Sequence, residues 1–347
     1  MNKLTLRQQK ILEYIRKNSR ATNREVAVFL RDVSRATVVR DLDILLKQRI
    51  IRKEGKGRNV YYEENSSSLS LKYFDAEEYF KKGPDERTGV LPRFNFEIFG
   101  LLDDVWNKEE IAELQKLDEA YRTRVPRLSP LELKKEFERL SIELSWKSSQ
   151  IEGNTYSLID TEILLKESKE AAGHSKEEAV MILNHKNALE YIRDKRSDFS
   201  TLSVSKIENI HALIVHNLGI EKGLRKRPVG VVGTRYRPLD NEHQIREAAE
   251  KMVETVNAAR DIFSKALLSV ALLSYIQPFE DGNKRTARLL GNAVLLSHGS
   301  CPLSYRSVSE SDYKKAMILF YEQNNIRFFK ELFLEQFRFA VNNYFVA

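Results

Sequence analysis

Gln277-Pro278-Phe279-Glu280-Asp281-Gly282-Asn283-Lys284-Arg285-Thr286-Ala287-Arg288 is the stretch that decides the fold. Residues 278–282 form a tight turn with two carboxylates, and the chain then enters a helix. A helix N-terminus offers unpaired N–H groups and a partial positive charge, which suits phosphate. Gly282 lets the backbone approach an anion closely. Arg285 and Arg288 lie three apart, on neighbouring helical positions, so both reach one polyphosphate. Asp281 has the oxygen chemistry to hold a magnesium ion bridging phosphates.

This segment resembles the signature of the Fic family, His-x-Phe-x-Asp/Glu-Gly-Asn-Gly/Lys-Arg-x-x-Arg. Phe279, Asp281, Gly282, Asn283, Lys284, Arg285 and Arg288 match it; Gln277 stands where the family has His. The resemblance implies a mainly α fold and transfer of AMP from Mg-ATP to a protein hydroxyl of Ser, Thr or Tyr. It implies an ATP site at Gly282, Asn283, Lys284, Arg285, Thr286, Ala287 and Arg288, with magnesium on Asp281. The family His is the general base. An amide has no useful proton affinity near neutral pH, so the expectation is a nucleotide site without turnover in this chain.

Working toward the N-terminus, Ser148-Ser149-Gln150-Ile151-Glu152-Gly153 is the second informative run. Ser148 and Glu152 are four apart and share a helical face. Gly153 is suited to end the helix in a left-handed conformation. The run resembles the Fic inhibitory motif, Ser/Thr-x-x-x-Glu-Gly/Asn. That resemblance implies a Glu152–Arg288 pair that takes Arg288 away from the ATP γ-phosphate. The bland alternative is a helix-ending Glu-Gly with no role.

Residues 227–239 hold Val229, Val231, Val232 and Tyr236 among glycines, the one β-like segment in the second half. They resemble the β-hairpin flap of Fic proteins, in which Gly230, Val231, Val232 and Gly233 would dock an extended target segment by strand addition. A hairpin that merely closes the core is the alternative. Tyr313 and Tyr321 have the shape to stack on adenine, although aromatics at such spacing usually belong to a core. Six histidines are scattered. His211 and His216 are five apart on one predicted helix and point to different faces, unlike zinc ligands.

Residues 4–63 read as three helices and a hairpin. Thr22-Asn23-Arg24-Glu25 is a capping box, Ser34 caps a third helix, and residues 54–57 make the hairpin turn. The order resembles a winged helix-turn-helix. Arg35, Thr37 and Arg40 would then face a DNA groove, with Lys56 and Arg58 on the wing near phosphates. A protein-interaction module is the alternative. The expected boundaries are a winged helix-turn-helix at 1–63, a linker and irregular segment at 64–94, and a helical Fic domain at 95–347.

Charge agrees with that division. Residues 1–62 hold 16 Lys/Arg against 6 Asp/Glu, a net of +10; the whole chain carries +7, so the remainder is −3. The asymmetry suggests duplex DNA as a partner for the first module alone. One cysteine, Cys301, leaves no intrachain disulfide framework and fits a reducing compartment. No secretion segment opens the sequence, and residues 266–276 are too short to span a bilayer. A cytoplasmic chain without membrane association is expected, with ATP and a target protein as partners and a homodimer open. Three readings stand: an autoinhibited adenylyltransferase lacking its base, a nucleotide-sensing DNA-binding regulator, and a remover of AMP in which Glu152 orients water.

Overall fold

The computed structural model describes residues 4–48, 50–65 and 69–346, with the side chains of Arg58 and Leu69 outside the description. The chain divides into two compact units, 1–88 and 89–347. The segment expected as a linker, 64–94, is therefore shared between them; within it, residues 66–68 lie outside the described residues. Residues 69–88 join the first unit for a physical reason. Tyr73 is buried in the first unit's apolar cluster, Arg16 Nη2 donates to its carbonyl, and Gln9 Nε2 donates to Asp75.

In the first unit the helices are α1 (Leu6–Asn18), α2 (Asn23–Leu30), α3 (Arg35–Lys47) and the short α4 (Ala76–Phe80). Thr5 and Thr22 open α1 and α2 with capping boxes, and the Ser34 side chain accepts from Thr37 N at the start of α3. Ile11, Leu12, Ile15, Val26, Val38, Leu42 and Leu45 form the core. Strands β1 (Ile51–Glu54) and β2 (Tyr61–Glu64) pair antiparallel, Ile51 opposite Glu64, and Tyr62 bridges Ala21. The wing connection is longer than a four-residue turn because a 3₁₀ turn at Gly57–Asn59 is folded into it.

The second unit is helical: α5 (Lys108–Arg124), α6 (Pro130–Ile151), α7 (Leu158–Glu167), α8 (Lys176–Asp194), α9 (Val204–Ile214), α10 (Glu242–Ala258), α11 (Ile262–Ile276), α12 (Asn283–Ser297), α13 (Glu310–Gln323) and α14 (Arg327–Asn343). Helix α11 is apolar all round and is buried along nearly its whole length, as expected of a central helix. It packs on α12, whose Gly291 permits close approach: a Cβ there would sit 2.6 Å from Val270 Cγ2. This α11–α12 hairpin carries the motif turn, and α6, α8, α9 and α13 wrap it.

One expectation is corrected. Residues 227–239 form no paired strands; they make an irregular loop with a turn at Val232–Gly233 and a single bridge between Arg237 and Arg93. Pro228 and Pro238 remove ladder donors, and Gly233 sits at φ +81°. Side chains hold the loop instead. Arg225 donates to the carbonyls of Arg227 and Leu239, and Tyr236 Oη donates to Tyr275 O at 2.7 Å.

Candidate functional site

The site grows from the end of α11. Gln277 adopts the left-handed conformation, φ 50° and ψ 57°, which is uncommon without glycine. Its N–H donates to Leu273 O, its Nε2 donates to Ser274 O at 2.6 Å, and its carbonyl accepts from Arg225 Nε at 2.7 Å. The next residues are shaped by Asn283, whose Oδ1 accepts from Phe279 N at 2.9 Å while its Nδ2 donates to Phe279 O at 2.8 Å. Both ends of that amide are thus used on the turn. Gly282 is at φ +77°, a conformation that favours glycine, and a Cβ there would crowd Ile214 at 3.1 Å and Val215 at 3.3 Å. Helix α12 then begins without a side-chain cap, so its first N–H groups keep the anion-binding character of an open helix start.

Three cations stand on this helix start, each held by a carboxylate. Arg285 Nη2 lies 3.2 Å from Asp281 Oδ2. Its Nη1 is buried with no hydrogen-bond partner, a donor that a ligand oxygen would satisfy. Arg288 is fully buried: Nε donates to Ser148 Oγ at 2.9 Å, and Nη2 donates to Ser148 O at 2.8 Å and Glu152 Oε1 at 2.9 Å. Its guanidinium lies 5.2 Å from the centre of the Tyr313 ring. Lys284 Nζ reaches Glu152 Oε2 at 3.3 Å. Burial alone would raise the Glu152 pKa, but Arg288 and then Lys284 outweigh it and hold the carboxyl below its ordinary range.

These groups border a cavity of about 410 Å³. Of the expected residues, Glu152, Gly153, Gly230, Val231, Val232, Gln277, Asp281, Gly282, Asn283, Lys284, Arg285 and Tyr313 line it. Ser148 and Arg288 are buried behind Glu152. Thr286 and Ala287 do not join the expected ATP set; they are fully buried and off the cavity wall, because helical rotation turns them toward the core. Gly233 also lies off the wall, where its Cβ would meet Ile318. In the first unit, Arg35, Arg40 and Lys56 are exposed, and Thr37 is half-buried in the Ser34 cap. The Arg58 side chain lies outside the described residues.

The donor set fits a polyphosphate: an open helix start, a glycine turn, an orphaned buried guanidinium N–H and three cations. For magnesium, Asp281 is the carboxylate at hand, with a largely exposed side chain. Among the described residues no cluster of three or more His, Cys, Asp or Glu makes an independent metal site. Asp281 with phosphate oxygens is a normal arrangement for magnesium.

Sequence reading missed two supports. His211 is a core histidine that stacks on Phe279 at 3.8 Å and 6° and donates from Nε2 to Asp281 O at 3.0 Å. Arg225 ties Gln277 O to both ends of the 227–239 loop. A buried arginine must find acceptors; no pattern in the sequence says which. Burial pulls the His211 pKa down to about 4, so it is neutral when folded and takes a proton readily only when unfolded. Its contribution is intact above the ordinary histidine value and is lost as pH falls toward 4. Unfolding free energies at pH 7.5 and pH 5 should therefore differ by about 2 kcal/mol more for the native chain than for His211→Gln. Equal pH slopes would show that His211 does not carry the effect.

Residues 201–295 match the family model of the Fic/DOC family, and residues 7–61 match the DeoR-like helix-turn-helix domain. The chain thus carries a Fic domain preceded by a DeoR-like helix-turn-helix domain. It is similar to the protein adenylyltransferase Fic of Nematostella vectensis, 31% identical over 196 residues, covering 53% of this chain and 44% of that protein. It is also similar to protein adenylyltransferase fic-1 of Caenorhabditis elegans, 26% identical over 168 residues, covering 47% of this chain and 33% of that protein. The chain therefore spans less than half the length of these relatives. Among solved structures, a Fic-domain-containing signalling protein from Bacteroides thetaiotaomicron superposes with a TM-score of 0.58 at 22% identity, covering 66% of this chain and 94% of that one. Fic-1 from C. elegans superposes at 0.56 and 19%, covering 68% and 70%. These likenesses are of fold. Among the described residues no helix is long and apolar enough to cross a membrane.

Proposed function

We propose that the second unit binds Mg-ATP at the start of α12 and is a protein adenylyltransferase arrested twice, by Gln277 at the base position and by Glu152 on Arg288. The observation that supports this most is the Glu152–Arg288 contact at 2.9 Å beside a cavity whose wall is a phosphate-type helix start. In the reaction, the N–H groups of the Gly282 turn and Arg285 hold phosphate oxygens, and Arg288, once released, takes the terminal phosphate. Bound magnesium would neutralise charge between phosphates, with Asp281 as its protein ligand. The chain's contribution is positioning and charge neutralisation. Val232, at 95% exposure on the loop tip, offers an apolar contact to a target protein, whose hydroxyl would lose its proton to residue 277 if that residue were a base.

Nucleotide titration by calorimetry tests the clamp. In the Glu152→Gln background, where Arg288 is released, Arg288→Ala is expected to weaken ATP at least tenfold more than AMP, about 1.4 kcal/mol of differential binding. Equal weakening of both would make Arg288 a structural residue.

The first unit supports a second reading, a nucleotide-responsive regulator that binds duplex DNA. The observation favouring it is the pair Arg35 and Arg40, exposed on α3 within the matched helix-turn-helix. In selection from random duplexes by the full chain, Arg35→Ala and Arg40→Ala should lose discrimination, while Lys56→Ala should weaken all sequences alike. Failure to enrich any sequence would assign the unit to protein interaction.

A further inference from the structure

The inhibitory contact has a second arm. Glu152 does not spend both oxygens on one guanidinium. Oε1 accepts from Arg288 Nη2 at 2.9 Å, and Oε2 lies 3.3 Å from Lys284 Nζ. The two cations differ in setting. The Arg288 side chain is 0% exposed and lies behind the wall, whereas that of Lys284 is 28% exposed and stands on it. Lys284 is therefore the cation of the pair that an incoming nucleotide meets first.

We propose that Lys284 is a positioning residue for the phosphates and the outer half of the lock: Glu152 withholds two cations from the nucleotide, and release of Glu152 supplies both. This rests on the nucleotide-binding reading above and extends it to a residue beyond Arg288. With Glu152 in place, the carboxylate neutralises Arg288 and shares Lys284. When Glu152 swings away, Arg288 and Lys284 join Arg285 around the phosphates, and the site gains attraction for the most highly charged nucleotide. The lock then opens in order. A phosphate competes first for the partly exposed Lys284, which frees Glu152 Oε2 from Lys284 Nζ, and the buried Arg288 contact follows. Lys284 and Arg285 are adjacent on α12, so their side chains diverge by about 100° and grip a chain of phosphates from two sides. The field of Lys284 on Glu152 is second only to that of Arg288 among the influences that hold this carboxyl ionised.

A double-mutant cycle decides it. ATP affinity is measured by calorimetry, with magnesium present, for the full chain and for Glu152→Gln, Lys284→Met and the double variant. The substitution Glu152→Gln should tighten ATP about fivefold more when Lys284 is present than when it is replaced, a coupling in the range of contacting charged residues. The excess should shrink with added salt, since the Lys284 arm is solvent-accessible. Lys284→Arg should keep it. If Glu152→Gln tightens ATP by the same factor with and without Lys284, the lock is the Arg288 arm alone and the proposal is overturned. If Glu152→Gln leaves ATP affinity unchanged in both backgrounds, the inhibitory reading itself fails. A nucleotide-free measurement stands beside it: the Glu152 carboxyl, followed by NMR titration, should move up in pKa on Lys284→Met. An unmoved carboxyl would also overturn the proposal, whatever the nucleotide data show.

Discussion

Gln277→His should create AMP transfer in this chain, with a rate gain of about 10²–10⁴ over the Gln form, the usual worth of a general base. The surroundings of residue 277 make the substitution mild. The turn at this residue is held by its backbone, through N–H to Leu273 and C=O to Arg225, and imidazole replaces a side chain of similar reach. The lost side-chain bond is that from Nε2 to Ser274 O, at a helix end where a carbonyl is ordinarily open to other donors. The assay follows label from the α-phosphate of ATP onto the chain itself or onto a lysate protein. Absence of any gain even when Gln277→His is combined with Glu152→Gly, with ATP binding intact, would remove the adenylyltransferase reading.

Glu152→Gly should have the opposite effects on the empty and the loaded protein. Without nucleotide, Arg288 loses its carboxylate while fully buried. Breaking a buried pair by removing one partner costs about 3–5 kcal/mol, a cost moderated here because Ser148 Oγ and Ser148 O still accept from Arg288. The melting temperature should fall. With ATP the terminal phosphate replaces the carboxylate, so the ATP-induced rise in melting temperature should exceed that of the native chain. In the Gln277→His background the same change should raise transfer. An ATP shift equal to the native one, with unchanged transfer, would remove the inhibitory assignment.

Much of this site was legible because its signals are local. A turn glycine, a run of cations at a helix start and a Ser-x-x-x-Glu-Gly helix end each state their conformation within a few residues. The starts of α2 and α3 likewise follow from Thr22 and Ser34, whose side chains satisfy the first N–H groups. What failed was non-local. Valines and glycines at 229–233 have strand composition, but a strand needs a partner, and Arg225 and Tyr236 hold the segment by side chains instead. Thr286 and Ala287 fell in a motif yet face the core, since motif membership does not fix rotation about a helix axis. His211, Arg225 and the Lys284–Glu152 contact are meetings between distant parts of the chain, which no spacing in the sequence records.

Two of the three bonds that fix the turn at residue 277 run through its backbone and do not depend on which side chain stands there. His and Gln codons differ at the third base alone. On the proposed function, one nucleotide change would exchange a catalyst for a receptor of the same ligand, without rebuilding the pocket. A lineage carrying this turn would then move between making a covalent mark and reading the nucleotide pool, each form passing on an intact scaffold for return to the other.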